Sequence, residues 1–140
     1  MQIKTINLSK MSQEFYFVIV NNDKPIYEYP AEDKHRYLKQ FIAYSALDIV
    51  DELAPTTTSM YMKGIDKFNE WTVYAFVPNK LRILLLSTNK IARVDENFFI
   101  ELYQAYCKFA TNPLYIHNSL IKSAVFDRKV SQIARKYLNA

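Results

Sequence analysis

The chain has one glycine, Gly64, in 140 residues, where average usage of about 7% would give roughly ten. That scarcity excludes several activities. A Walker phosphate loop, a dinucleotide fingerprint and a nucleophile elbow each need several closely spaced glycines, and none can be built from this sequence. Turns must rely on Asn, Asp and Pro, which tolerate or pre-set turn dihedrals by other means. Cysteine is as sparse. Cys107 stands alone, so there is no intrachain disulfide and no cysteine zinc site, and nothing calls for an oxidising compartment. The longest wholly apolar runs are about six residues, against the roughly 20 that a membrane span needs. The opening MQIKTINLSK lacks the apolar core of a signal peptide. These absences predict a cytoplasmic chain.

Half the residues are hydrophobic and about a quarter charged, ordinary values for a globular domain. A chain of this length suits one domain with a single core. The charge is unevenly placed. Residues 1–119 carry 13 cations and 13 acids, and residues 120–140 carry Lys122, Arg128, Lys129, Arg135 and Lys136 against Asp127 alone. The net charge of +4 is therefore a property of the C-terminal segment. That segment reads first as a solvated helix face whose cations suit the C-terminal dipole end. A basic helix also suits phosphates or anionic lipid.

Taken in order, residues 1–10 lack periodicity. Residues 15–20, FYFVIV, form a continuous apolar run rich in aromatic and β-branched types, which predicts a strand buried on both faces. A turn over 21–25 leads to a short return strand, 26–29, closed by Pro30. Residues 35–53 are predicted helical, with Glu32 and Asp33 before the helix and Pro55 ending it. Three closely spaced strands follow at 60–68, 71–77 and 81–86, and their short connections force antiparallel neighbours. Both faces of 71–77 and of LRILLL are largely apolar, the trait of a sheet covered on both sides. Two helices complete the chain, at 95–110 and 124–138, the second with Ser123 as its N-cap. The predicted order is β-β-α-β-β-β-α-α. It is an α+β fold: a five-stranded antiparallel sheet with one helix on one face and two on the other.

The helix over 35–53 holds the most informative pattern. At about 100° per residue, Leu38, Phe41, Ile42, Ser45, Ala46, Ile49 and Leu53 form one stripe, read as the face that packs on the core. Ala43, Tyr44, Leu47 and Val50 point elsewhere, and Asp48 is the only charge between Phe41 and Val50. A helix with solvent opposite its core face should be more polar. Two readings stand: a second face that meets a partner, or scattered surface apolars, which are common.

Catalytic and metal patterns are weak. His35 and His117 lie far apart, and Cys107 falls within an amphipathic helix, where it reads as a small packing residue. No oxyanion-hole loop or orienting third group is visible. Asp48, Asp51 and Glu52 share one side of a helix without the loop carbonyls that calcium prefers. They read as a solvated acidic stripe unless a partner covers it. The expectation is a non-enzyme with no cofactor and no metal.

Six blocks, in order, are FYFVIV (15–20), NDKPIYE (22–28), LKQFIAYSALDIVDE (38–52), DKFNEW (66–71), NPLY (112–115) and FDRKV (126–130). In these the chain resembles the sedlin family, small longin-like subunits of the TRAPP vesicle-tethering complex. The resemblance covers nearly everything from Ser12 to Leu138 and implies the longin (SNARE-like) fold. It departs from the family at Asn21, where glycine is usual, at a shorter loop after the second strand, and at Leu120, where the family has proline. Family members usually begin near Met11, so residues 1–11 read as a flexible N-terminal extension and 12–140 as a single longin-like domain. The implied function is that of a non-enzymatic adaptor. It would link core and larger subunits of an assembly that promotes nucleotide exchange on a Rab GTPase in ER-to-Golgi and Golgi transport. Implied partners are other TRAPP subunits and, indirectly, the Rab, with peripheral membrane association through the complex. Asp48 falls in the family's ALD motif, beside Tyr44 and Leu47. Tyr44, Leu47, Asp48 and Asp51 are accordingly the expected partner-binding residues, apolars supplying burial and the acid rejecting wrong partners. The alternative is an autonomous binder of acidic surfaces, lipid or nucleic acid, acting through the basic C-terminal helix.

Overall fold

The computed structural model describes residues 15–88 and 94–138, so the expected extension at 1–11 lies outside the described residues. The elements are β1 (Phe15–Asn21), β2 (Lys24–Tyr29), α1 (Arg36–Leu53), β3 (Tyr61–Phe68), β4 (Trp71–Phe76), β5 (Leu81–Ser87), α2 (Glu96–Ala110) and α3 (Ala124–Leu138). The sheet order is β2-β1-β5-β4-β3, with every pairing antiparallel. This is the predicted architecture, and element ends differ from expectation by one or two residues.

The glycine-poor turns are made as composition requires. Asn22 and Asp23 join β1 to β2 with φ of 50° and 63°, both left-handed, as a two-residue type I′ hairpin demands. Asn69 and Asn79, each at φ 55°, serve the β3–β4 and β4–β5 connections. Asn tolerates this region because its short polar side chain bonds locally. Gly64, at φ +61°, lies where the β3–β4 register slips between Met62 and Asp66, the place of a bulge.

Alternation along β1 divides the interior in two. Phe15, Phe17 and Ile19 point to one face, where they meet Ile83 and Leu85 of β5 and Phe98, Phe99, Leu102, Phe126, Val130 and Ile133 of α2 and α3. Tyr16, Val18 and Val20 point to the other, under Ile42, Ala43, Ala46 and Val50 of α1. The first face is aromatic: Phe98 stands edge-on to Phe17 at 5.2 Å and to Phe99 at 5.0 Å between ring centroids. Capping fixes where the two helices on this face begin. Asp95 accepts the Asn97 N–H at 2.9 Å, and Ser123 Oγ accepts the Phe126 N–H at 3.2 Å, each satisfying a donor that the helix start leaves unpaired.

One expectation fails. The stripe of α1 that faces the core is Lys39, Ile42, Ala43, Ala46 and Val50, whereas Leu38, Phe41, Ser45 and Leu53 are exposed. The helix is rotated relative to the sequence reading. The cause is Lys39, whose side chain is fully buried. Its Nζ lies 2.5 Å from Asp33 Oδ2 and 4.8 Å from the centroid of the Trp71 ring. A charge can go inside when paired this closely, and here it carries the small residues at 43, 46 and 50 in with it.

Candidate interaction face on helix α1

With Lys39, Ala43, Ala46 and Val50 turned inward, the residues about half a turn away face solvent. Tyr37 is 80% and Phe41 61% exposed, and Leu38 and Tyr44 are exposed beside them. Asp48 continues the same side one turn further on, also exposed. It has no ion pair or side-chain hydrogen bond with another described residue. Four large apolar side chains, spaced three and four residues apart within two turns, thus lie on one side of the helix with Asp48.

The expected site residues divide. Tyr44 and Asp48 lie on this face. Leu47 is partly buried and packs against the core beneath α1, so its apolar surface is largely engaged within the chain. Asp51 lies on the flank, where it accepts from Arg82 Nη2 at 2.6 Å. Arg82 was the one polar break in the LRILLL strand, and this pair gives it a partner. Tyr37, Leu38 and Phe41 were missed as outward residues. The signal that could have found them is the regular spacing of Lys39, Ala43, Ala46 and Val50, which marks a narrow inward stripe of small residues.

The start of α1 is anchored to the sheet edge by Glu28 of β2. This carboxylate accepts from Tyr16 Oη at 2.7 Å and from Gln40 Nε2 at 2.7 Å, and pairs with Arg36 Nε at 2.7 Å. Burial, then the bond to Glu28, pushes the Tyr16 hydroxyl far above the ordinary tyrosine range. Tyr44 is pushed up as well, by burial first and then by the Glu28 charge. Both stay neutral at any physiological pH, so the charged residues of the patch are Asp48 at one end and Arg36 at the other.

The other candidate groups lie on different parts of the described fold. His35 precedes α1, His117 lies exposed in the α2–α3 connection, and Cys107 packs against the aromatic core from α2 on the opposite side of the sheet. Among the described residues, no group of three or more His, Cys, Asp or Glu is placed to hold a metal ion, and no helix is long and apolar enough to cross a membrane.

A five-stranded antiparallel sheet held between one helix and two, with an apolar face turned outward, defines an α+β domain of the longin-like class. Within that class the chain belongs to the sedlin family, whose sequence model, described as Sedlin, matches residues 18–136. It is similar to the probable trafficking protein particle complex subunit 2 of Caenorhabditis elegans, 42% identical over an alignment of 139 residues that spans 91% of this chain and 99% of that protein. The Drosophila melanogaster protein of the same name is 42% identical over 134 residues, 89% of this chain and 96% of its own. The transport protein particle 20 kDa subunit of Schizosaccharomyces pombe is 42% identical over 130 residues, 86% and 96% respectively. These relatives are named as subunits of a trafficking complex, and none of the names is that of an enzyme.

Proposed function

We propose that the chain is a non-enzymatic adaptor subunit of the trafficking protein particle, joining core to larger subunits through the outward face of α1. The assembly would act in ER-to-Golgi and Golgi vesicle transport, promoting nucleotide exchange on a Rab GTPase that this chain touches only indirectly. In this reading the chain is cytoplasmic and peripheral to those membranes. The observation that carries it is the patch of Tyr37, Leu38, Phe41 and Tyr44 beside Asp48, which has no ion pair among the described residues. Apolar area of this kind supplies burial, and an acid at its end sets register and rejects partners that cannot match it. The names of relatives that align over almost their whole length support the same assignment.

The test is affinity purification of the tagged chain from its own cells at moderate salt. Other small longin-like and core subunits should be recovered in stoichiometric amounts. Asp48→Lys, and separately Phe41→Ser, should change stability by about 0.5 kcal/mol or less, because both side chains are exposed, yet release a partner subunit. An unaltered melting temperature together with undiminished partner recovery would remove this face from the contact.

A further inference from the structure

A second apolar patch lies between α2 and α3. Residues 111–123 join these helices as an irregular connection that is tied down along its length. The Phe109 and Tyr115 rings meet edge-on at 4.8 Å, Tyr115 Oη donates to the Ser119 carbonyl at 2.7 Å, and the Ile121 N–H donates to the Ile26 carbonyl of β2 at 2.8 Å. The connection is thus held, yet its aliphatic side chains remain outside. Leu114 is 87% and Ile116 75% exposed, and Leu120 and Val125 are exposed too. Single exposed apolars are normal, but a cluster of this size is not.

The cluster is contiguous. Leu114, Ile116 and Leu120 border an open cavity of about 370 Å³ with Lys122 on its rim. Val125 borders another of about 460 Å³, where Lys108 and Lys129 accompany Phe109 and Phe126. Phe109, Asn112 and Ser123 are common to both. Along the connection and the helix turns that flank it the charge has one sign: no Asp or Glu occurs between Glu101 and Asp127. Asp127 accepts the Tyr27 hydroxyl at 2.8 Å; with Glu28 and Glu32 it borders an adjoining cavity beside β2 that shares Leu120, Lys122 and Ser123 with the patch, so acids bound the patch on that side. The C-terminal part of α3 contributes less than its composition suggests, since Lys136 is paired with Glu101 at 3.0 Å.

We propose that this end of the molecule is a contact surface for anionic phospholipid membranes. Leu114, Ile116, Leu120 and Val125 enter the boundary between headgroups and acyl chains, and Lys108, Lys122 and Lys129 meet the anionic headgroups. Charge complementarity selects this occupant, because on the α2–α3 side the apolar side chains are flanked by Lys108, Lys122 and Lys129. The side chains themselves are aliphatic and project into solvent. A protein contact of comparable strength is more often anchored by buried Trp, Tyr or Arg. Placement adds a consequence. The α2–α3 pair and α1 cover opposite faces of the sheet, so resting this end on a bilayer leaves the outward face of α1 open to another subunit.

Co-sedimentation of the full chain with phosphatidylcholine vesicles, with and without phosphatidylserine, tests the assignment. Binding should need phosphatidylserine and weaken as salt is raised. Lys122→Ala with Lys129→Ala should weaken it about 25-fold, roughly fivefold for each cation lost near the surface. Leu114→Ser with Ile116→Ser should weaken it about tenfold or more through lost insertion, with an unchanged melting temperature showing that the fold survives. Phe41→Ser should bind as the parent chain does, which separates this surface from the α1 face. No retention at low salt, or full retention of the Leu114→Ser, Ile116→Ser chain, overturns the proposal. So does a chain that ignores vesicles while the same double variant drops a subunit from the purified particle, since the patch would then belong to a protein contact.

Discussion

Helix α1 and the α2–α3 pair cover opposite faces of one sheet, and they are attached by different chemistry. The α2–α3 face is filled by large rings, Phe15, Phe17, Phe98, Phe99 and Phe126, which bury much area per residue. The α1 face is closed by Ala43, Ala46, Ile42 and Val50 around the buried Asp33–Lys39 pair. The helix with the small inner stripe is the one whose large apolar residues look outward. The helices with the large inner residues are the ones whose outer surface is mostly polar or basic, with Val125 at the start of α3 as an exposed apolar residue. Hydrophobic side chains can serve the chain's own core or a neighbour, and α1 divides them in a way that α2 does not. The difference teaches that a helix apolar on two sides need not bury its larger side.

The sharpest way to break this contrast is to remove the acid that lets Lys39 lie inside. Asp33→Ala leaves a buried cation without its carboxylate and also removes the acceptor of the His35 N–H. It should destabilise the fold by about 3–5 kcal/mol, read from urea denaturation. Changing both partners, Asp33→Leu with Lys39→Met, should return most of that loss, because no unpaired charge remains. A single variant as stable as the parent would show that the pair does not hold α1.

A smaller effect follows from the tight approach of α1. Ala46 is fully buried between α1 and the sheet, so Ala46→Leu should overpack the contact and cost about 1–3 kcal/mol. Because the displaced helix carries the outward patch, partner recovery should fall together with stability, unlike the response to Asp48→Lys. Loss of stability with normal recovery would mean that the patch tolerates movement of its helix.

The smallest effect concerns the aromatic side. Tyr61 packs on Phe99 at 5.5 Å, its hydroxyl has no hydrogen-bond partner among the described residues, and burial pushes its pKa from 10.0 up to about 12. The folded state therefore keeps a proton that the unfolded chain releases. That contribution is fully present below pH 10.0 and is lost as pH rises towards about 12. Tyr61→Phe should reduce the alkaline fall in stability and shift neutral stability by about 1 kcal/mol or less. A denaturation series across that pH range is the measurement. An unchanged alkaline slope would show that the fall arises elsewhere, for instance at Tyr16 or Tyr27, both of which burial also pushes upward.

Much of this was legible in the sequence because its signals were local. FYFVIV announces a strand buried on both faces, Asn22-Asp23 and Pro55 mark ends, and Ser123 begins α3. Antiparallel order follows from connections too short for crossovers. The exposure of Tyr44 was legible because an apolar residue there departs from the polar surface expected of α1, whereas Asp48 was singled out by the ALD motif of the resemblance. The rotation of α1 was not legible, and the reason is physical. Periodicity arguments place large apolar residues inside and lysine outside. Asp33 lies six positions before Lys39, in the preceding connection, so only the folded chain brings the pair together. The basic tail was legible as charge. Its combination with Leu114 and Ile116 was not, since those residues sit in a connection without periodicity.

The two edges of the sheet carry a consequence for growth. A bare edge strand can recruit strands from other chains without limit. Here β2 has the Ile26 carbonyl taken by Ile121, and β3 is interrupted between Met62 and Asp66 with Lys63 and Lys67 exposed along it. Strand-by-strand polymerisation is discouraged at both ends. On the reading proposed above, what remains for contact is the outward face of α1, which one neighbour would fill. A subunit that used its surface in this way would have a finite valence, its copy number set by countable faces rather than by supply of chains.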